Sequence, residues 1–161
     1  MNLTATALTT ALATAALLLT TTPAAPHTAA DGNAPEADLA HHGTATLTPG
    51  RTTLHLTPQN HGPADIPDAT VRLTWSTPLA DAQTLPPACL RTGPHSLACR
   101  TGALPADTTG TPLSLDLRLA ATPSELTLTV DTVFTGGPTD HNPDNDHHRL
   151  LVLDTGDTYT F

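Results

Sequence analysis

The chain has 161 residues, among them 33 Thr, 25 Leu, 24 Ala and 16 Pro, with no Lys and only 2% aromatic side chains. That length fits one domain of ordinary size with tails. Leu, Ile, Val and Phe together reach 32 residues, near the lower border for folding, but a net charge of −9 is a weak repulsion over this length. Six cations, all Arg, exclude the basic clusters that a nucleic-acid or anionic-membrane partner requires.

Residues 1–30 carry no charged side chain, and Ala5 to Leu19 is an apolar segment punctuated by Thr. Thr20-Thr21-Thr22-Pro23 breaks it, and small residues follow to Ala30. This is the order of a secretory leader, with cleavage expected after Ala30 and Thr28 and Ala30 at the −3 and −1 positions, although the usual cation before the apolar run is missing. A membrane span needs about 20 strongly apolar residues and this segment is shorter and milder, so a signal peptide over 1–30 is expected and no span after its removal. Residues 31–36 are small, polar and Pro-interrupted, and read as a linker. The Lys-free, Ala/Thr/Pro-rich composition is associated with GC-rich bacterial genomes, and export then means secretion or attachment at the cell surface.

Beyond the linker a period of two prevails. It places one set of side chains on one sheet face and marks half-buried strands. The spacing predicts seven: 38–48, 51–58, 69–76, 96–101, 113–120, 125–134 and 149–154. Leu113, Leu115, Leu117 and Leu119 alternate with Ser114, Asp116 and Arg118; Leu126, Leu128, Val130 and Phe134 are expected inward, opposed by Thr127, Thr129 and Asp131. Turn clusters such as Pro49-Gly50, Gly93-Pro94 and Gly136-Gly137-Pro138 separate the strands, and no window beyond the leader has helical spacing. The pattern is that of an antiparallel β-sandwich over 37–154, followed by a tail over 155–161. Abundant Thr then belongs to solvated strand faces, where a β-branched side chain with a hydroxyl is well suited.

Two cysteines, Cys89 and Cys99, suit a disulfide in an exported chain. A metal pair is the weaker alternative, since neither lies in a CxxC motif. Trp75, the lone tryptophan, is expected in the core.

The order Ala37-Asp38-Leu39, a strand, Asn60-His61-Gly62-Pro63-Ala64-Asp65, and then a Val/Leu strand resembles the repeat family known as domain of unknown function 11. The Cys89/Cys99 pair, Gly102-Ala103-Leu104-Pro105-Ala106 and the run Thr139 to Asp146 add to the likeness, which spans about Glu36 to Leu153. The resemblance implies an immunoglobulin-like β-sandwich of about seven strands from bacterial surface and secreted proteins, with no catalytic residues to carry over. His61 and His147-His148 depart from the family's small polar residues, Trp75 lies where Thr or Leu is common, and the chain holds one copy where arrays are frequent.

The most chemical-looking segment is Asp140-His141-Asn142-Pro143-Asp144-Asn145-Asp146-His147-His148. Oxygen ligands at Asp140, Asn142, Asp144 and Asp146 have the alternating spacing of a calcium loop, and His147 and His148 could hold zinc. Against calcium, the sixth position is Asn145 instead of Gly and the twelfth is Leu151 instead of Glu. The expectation is a turn in which Asx side chains bond the local backbone, with a metal as the alternative. Leu151-Val152-Leu153-Asp154-Thr155-Gly156 matches the aspartic-protease string, yet that chemistry needs a second carboxylate and a built cleft. None of Ser76, Ser96, Ser114 and Ser124 lies in a GxSxG elbow. The histidines read as scattered over loops and solvent-facing strand positions, as at His55 and His95.

The expectation is therefore a secreted, monomeric, non-catalytic structural or adhesion-like interaction module without a cofactor, its extracellular or cell-wall partner unidentified. An extracellular module binding carbohydrate or a metal ion is the alternative, and an enzyme comes third.

Overall fold

A chain with so few aromatics can fill the space between two sheets only with the inward half of its alternating strands, and those positions are mostly Leu. The computed structural model describes residues 35–161; the expected leader and positions 31–34 of the expected linker lie outside the described residues. The strands are β1 (Glu36–Ala37), β2 (Leu39–Thr48), β3 (Arg51–Asn60), β4 (Thr70–Trp75), β5 (Cys89–Arg91), β6 (Ser96–Arg100), β7 (Thr108–Thr109), β8 (Leu113–Arg118), β9 (Glu125–Phe134), β10 (Thr139–Asp140), β11 (His147–Leu153) and β12 (Tyr159–Thr160). One 3-10 turn, η1, covers Pro143–Asn145. Among the described residues no helix is long and apolar enough to cross a membrane.

The structure is all-β with two five-stranded antiparallel sheets, consistent with a β-sandwich. One sheet has the order β12-β2-β3, with β7 and β8 both on the far edge of β3; the other has the order β11-β9-β4-β6-β5. A two-stranded parallel pair, β1 with β10, closes one end. The core draws on both sheets: Ala45, Leu47, Leu54, Leu56, Leu115 and Leu117 from the first, and Val71, Leu73, Trp75, Leu97, Leu126, Leu128, Val130 and Val152 from the second. Full burial of each Leu is worth about 1.5–3 kcal/mol, so these stripes are the dominant attraction between the sheets. Thr52, at an inward position of β3, is tolerated because its hydroxyl donates to the Thr46 carbonyl at 3.0 Å.

All seven expected strands are present, the last starting earlier, at His147; Phe134, expected inward on the sixth, is exposed, because the pairing of β9 with β4 shifts register between Thr132 and Phe134. Five short strands had no readable period, because two or three residues cannot display one. Among them β12 corrects the expectation of a tail over 155–161. Gly156 turns the chain back at φ +77°, and Tyr159 and Thr160 pair with Ala45 and Thr44. Gly43 makes the docking possible: a Cβ there would lie 2.7 Å from the Phe161 ring. Backbone hydrogen bonds of 3.1 Å run both ways between Gly43 and Phe161.

Cys89 and Cys99 are register partners on β5 and β6 and form a disulfide, their Cα atoms 4.1 Å apart. The bridge therefore fastens the three-residue edge strand β5 to its neighbour within one sheet. Replacing both cysteines by Ala is expected to cost about 2.5–3 kcal/mol on the loop-entropy argument, read as a lower urea midpoint. An unchanged midpoint would show that β5 is held by its backbone pairing alone.

Candidate functional site

The inward stripes of three strands turn polar at the same level, which on β2 lies between the main core and a second apolar cluster of Ala37, Leu39, Ile66, Ala69 and Leu104. Leu47 and Ala45 on β2 share their face with His41; Leu126, Leu128 and Val130 on β9 share theirs with Thr132; Val152 and Leu150 on β11 share theirs with His148 and, just before the strand, Asp146. These polar residues meet across the two sheets. His41 is fully buried, and its Nε2 lies 2.9 Å from Thr132 Oγ1. Asp146 is buried beside Thr132, and its Oδ1 lies 3.0 Å from His147 Nε2. That approach is a charge pair when the imidazole is protonated, and it lacks the alignment of a hydrogen bond. His147 Nδ1 in turn lies 3.3 Å from Asp131 Oδ1. His148 Nε2 lies 3.0 Å from the Asn145 carbonyl, and its ring packs 5.0 Å from that of Phe161.

This arrangement corrects the reading of the histidines as scattered. His42 lies edge-on to His61 at 6.4 Å, and His141 Nδ1 lies 4.0 Å from Glu36 Oε1. Six of the eight histidines among the described residues thus gather around the start of β2. Burial drives the His41 pKa down from 6.5 to about 4, with His148, His147 and His42 adding repulsion in that order. Burial raises the Asp146 carboxyl above its ordinary value; the Thr132 hydrogen bond and the neighbouring His147 pull it back, and Asp140 pushes it up. His41 Nδ1 and one oxygen each of Asn145 and Asp146 are buried there without a hydrogen-bond partner among the described residues.

The remaining candidates of the acidic run do a different job. Asp140 Oδ2 accepts from the Leu39 amide at 2.8 Å, and its Oδ1 accepts from the Asn142 amide at 2.8 Å in an Asx turn. The Asn142 and Asn145 side-chain amides donate to Asp38 Oδ1 at 3.4 and 2.8 Å. Asp144 is exposed. Asp140 is turned to backbone donors, the Asn142 side-chain amide to Asp38, and Asp146 to Thr132 and His147, so three of the four positions with calcium-loop spacing serve different partners. Among the described residues no group of three or more His, Cys, Asp or Glu side chains has metal-holding geometry.

Asn60 has a role that sequence reasoning missed. Fully buried, it accepts from the Gly62 amide at 3.0 Å and donates to the carbonyls of Ala64, Leu104 and Pro105 at 2.8, 3.1 and 3.2 Å. Gly62 has no room for a side chain, because a Cβ would lie 2.5 Å from Ala37 Cα. Asp65 Oδ1 accepts from the Ala106 amide at 2.8 Å. The signal lay in the Asn60-x-Gly62 spacing, but these partners are distant in sequence.

Trp75 is in the core, 1% exposed, and offers no sugar platform. A shallow depression of about 270 Å³ on the outer face of β4, β9 and β11 is lined by Thr74, Trp75, Ser76, Thr127, Thr129 and Arg149. Asp154 and Gly156 form a turn whose amides donate to the Ser124 and Leu47 carbonyls at 2.9 and 3.3 Å. Compared with protein-family models, curated proteins and solved structures, the chain has no match in any of the three.

Excess Ca²⁺ is expected to leave the melting temperature where chelator leaves it, since both Asp140 oxygens are already engaged by backbone amides; a rise of several degrees would place an ion in the run. The titration of His41 has a definite sign. Its folded pKa of about 4 lies below the unfolded 6.5, so its contribution is complete above pH 6.5 and is lost as pH falls toward 4. The loss is on the order of 3 kcal/mol. Asp146, whose folded pKa is raised above its ordinary 3.8, acts in the opposite sense, gaining stability as pH falls. Urea midpoints are expected to fall from pH 7.5 to pH 5, and His41→Gln is expected to flatten that slope.

Proposed function

We propose that the chain is a secreted bacterial module of structural or adhesion-like interaction type, non-catalytic, built as a single immunoglobulin-like sandwich. The observation that carries this reading is the use made of the Asp140–Asp146 run. Its carboxylates and amides fasten the segment before β2 to the end of the molecule, which is architectural work. Asn60, Gly62 and Asp65, part of the likeness to domain of unknown function 11, also serve backbone contacts.

The strand order supports the immunoglobulin-like assignment. One sheet is β2-β3-β8 and faces β11-β9-β4-β6, so the chain leaves the first sheet after β3, returns for β8 and crosses again to β9. The Cys89–Cys99 bridge supports an oxidising compartment. With Trp75 in the core, the carbohydrate reading keeps only the hydroxyl-lined depression around Thr127, Thr129 and Arg149, a shallow surface without an aromatic face for a sugar ring.

Trapping free thiols in intact cells before lysis, followed by fractionation, tests this. The expected result is a chain cleaved after Ala30, with both cysteines blocked to alkylation, in the wall or medium fraction and without hydrolase activity. A full-length reduced chain in the cytosol would overturn the assignment.

A further inference from the structure

An edge strand presents unpaired amides and carbonyls, and a stable sandwich covers, shortens or charges its edges. Here β12 and the Gly156 amide cover β2. The segment 78–83 caps β8: the Arg118 carbonyl accepts from the Ala80 amide and the Pro78 carbonyl from the Ala120 amide, both at 2.8 Å. The β5 edge is three residues long, bridged at Cys89 and flanked by Pro86-Pro87 and Pro94. The exception is β11, an edge of seven residues without Pro and without a covering segment among the described residues.

The phase of its ladder decides which groups face out. The Asp154 amide donates to the Ser124 carbonyl at 2.9 Å, one pair beyond Leu153 and Glu125. Bonded and unbonded pairs alternate in an antiparallel ladder, so His148, Leu150 and Val152 bond to β9. The amides and carbonyls of His147, Arg149 and Leu151 therefore point away from the sheet, and none has a partner among the described residues. Side chains of this same set lie on the outer face, where Leu151 is 54% and Leu153 40% exposed. Arg51, Arg72, Arg91 and Arg100 each meet a carboxylate and Arg118 bonds the Ala82 carbonyl, whereas the Arg149 guanidinium has no acceptor among the described residues. In the other sheet β12 lies one strand beyond β2, which packs against β11. Its half-buried Tyr159 and Phe161 thus fall beneath the place that a strand added to β11 would take.

We propose that the outer edge of β11 docks an extended segment of a partner chain, added as a sixth strand to the β11-β9-β4-β6-β5 sheet. Its backbone pairs with His147, Arg149 and Leu151, which supplies affinity, and alternate side chains supply the choice of partner. On the outer face the segment carries an acidic residue beside Arg149 and an apolar one beside Leu151; on the inner face its apolar residues rest on Tyr159 and Phe161. An acidic segment fits because Arg149 is an unpaired cation on a chain of net charge −9. A second copy fits less well, since it brings the same net charge and its own β12 to the same place. The proposal rests on the reading of the chain as an interaction module and names the surface and partner chemistry of that module.

A capped Val/Thr strand peptide with one central Glu, titrated into the whole chain and followed by amide exchange and NMR shifts, tests the docking. Saturation is expected to slow exchange at the His147, Arg149 and Leu151 amides and to leave those of Leu150 and Val152, already in the ladder, unchanged. Lys in place of the peptide's Glu is expected to weaken binding about 10-fold, from an attractive to a repulsive cross-strand pair. Methylating the peptide amides that face the edge is expected to abolish binding, and Arg149→Glu, at an exposed position, is expected to reverse the order of the Glu and Lys peptides. Unchanged exchange at the three amides, equal affinity for both peptides, or undiminished binding of the methylated peptide would each overturn the proposal. Protection of the same amides in the peptide-free chain as its concentration rises would overturn it in favour of a second copy. A failed titration leaves the export result standing, and a cytosolic chain leaves this edge unchanged, so the two readings fail separately.

Discussion

Everything in this molecule rests on filling the gap between two sheets with almost no aromatic side chains. Sheets pack roughly 10 Å apart, and a Leu from each side spans that distance. The strands must therefore keep strict register, because a slip of one residue would send a whole Leu stripe to the solvent and bring Thr inward. The pairings of β2 with β3 and of β11 with β9 run without interruption, and apart from Ala40 on β2 the buried residues of each strand fall on one parity. Trp75 is the one large ring committed to this interior.

Where the stripes turn polar, the same constraint produces a different chemistry. The inward parity of β9 and β11 continues past Val130 and Leu150 into Thr132, His148 and Asp146, and that of β2 is interrupted by His41 between Ala45 and Leu39. Polar groups at those positions must find partners in each other or remain unpaired, and the structure contains both outcomes. Thr132 connects His41 to the neighbourhood of Asp146, while His41 Nδ1 is left unpartnered. Exposed ion pairs such as Arg51–Asp116 and Arg100–Asp68 add little by comparison, since solvent screens them. Electrostatics that matters for this fold is concentrated at this level.

The residues that look most like a binding motif turn out to secure loops. Asp140, Asn142, Asn145 and Asp38 tie together segments about a hundred positions apart, and Asn60 does the same for three carbonyls beyond β3. Short polar side chains do this well because they reach backbone groups that no strand partner satisfies.

Fold class, the seven long strands and the cysteine pairing were legible in the sequence, because periodicity and a pair of cysteines are local signals that survive without coordinates. The inward position of His41 was legible too, since it shares parity with Leu39, Ala45 and Leu47, but a polar residue on an apolar stripe reads as a solvent-facing exception until the opposing sheet is seen. Only the tertiary structure brought His41, Thr132, Asp146 and His148 into one cluster, paired Tyr159 and Thr160 with β2, and turned Asp140 of the calcium-like run toward backbone amides. Sequence determines which face each side chain takes along its own strand. What lies opposite that face depends on how the sheets stack, and that is decided by contacts between residues far apart in the chain.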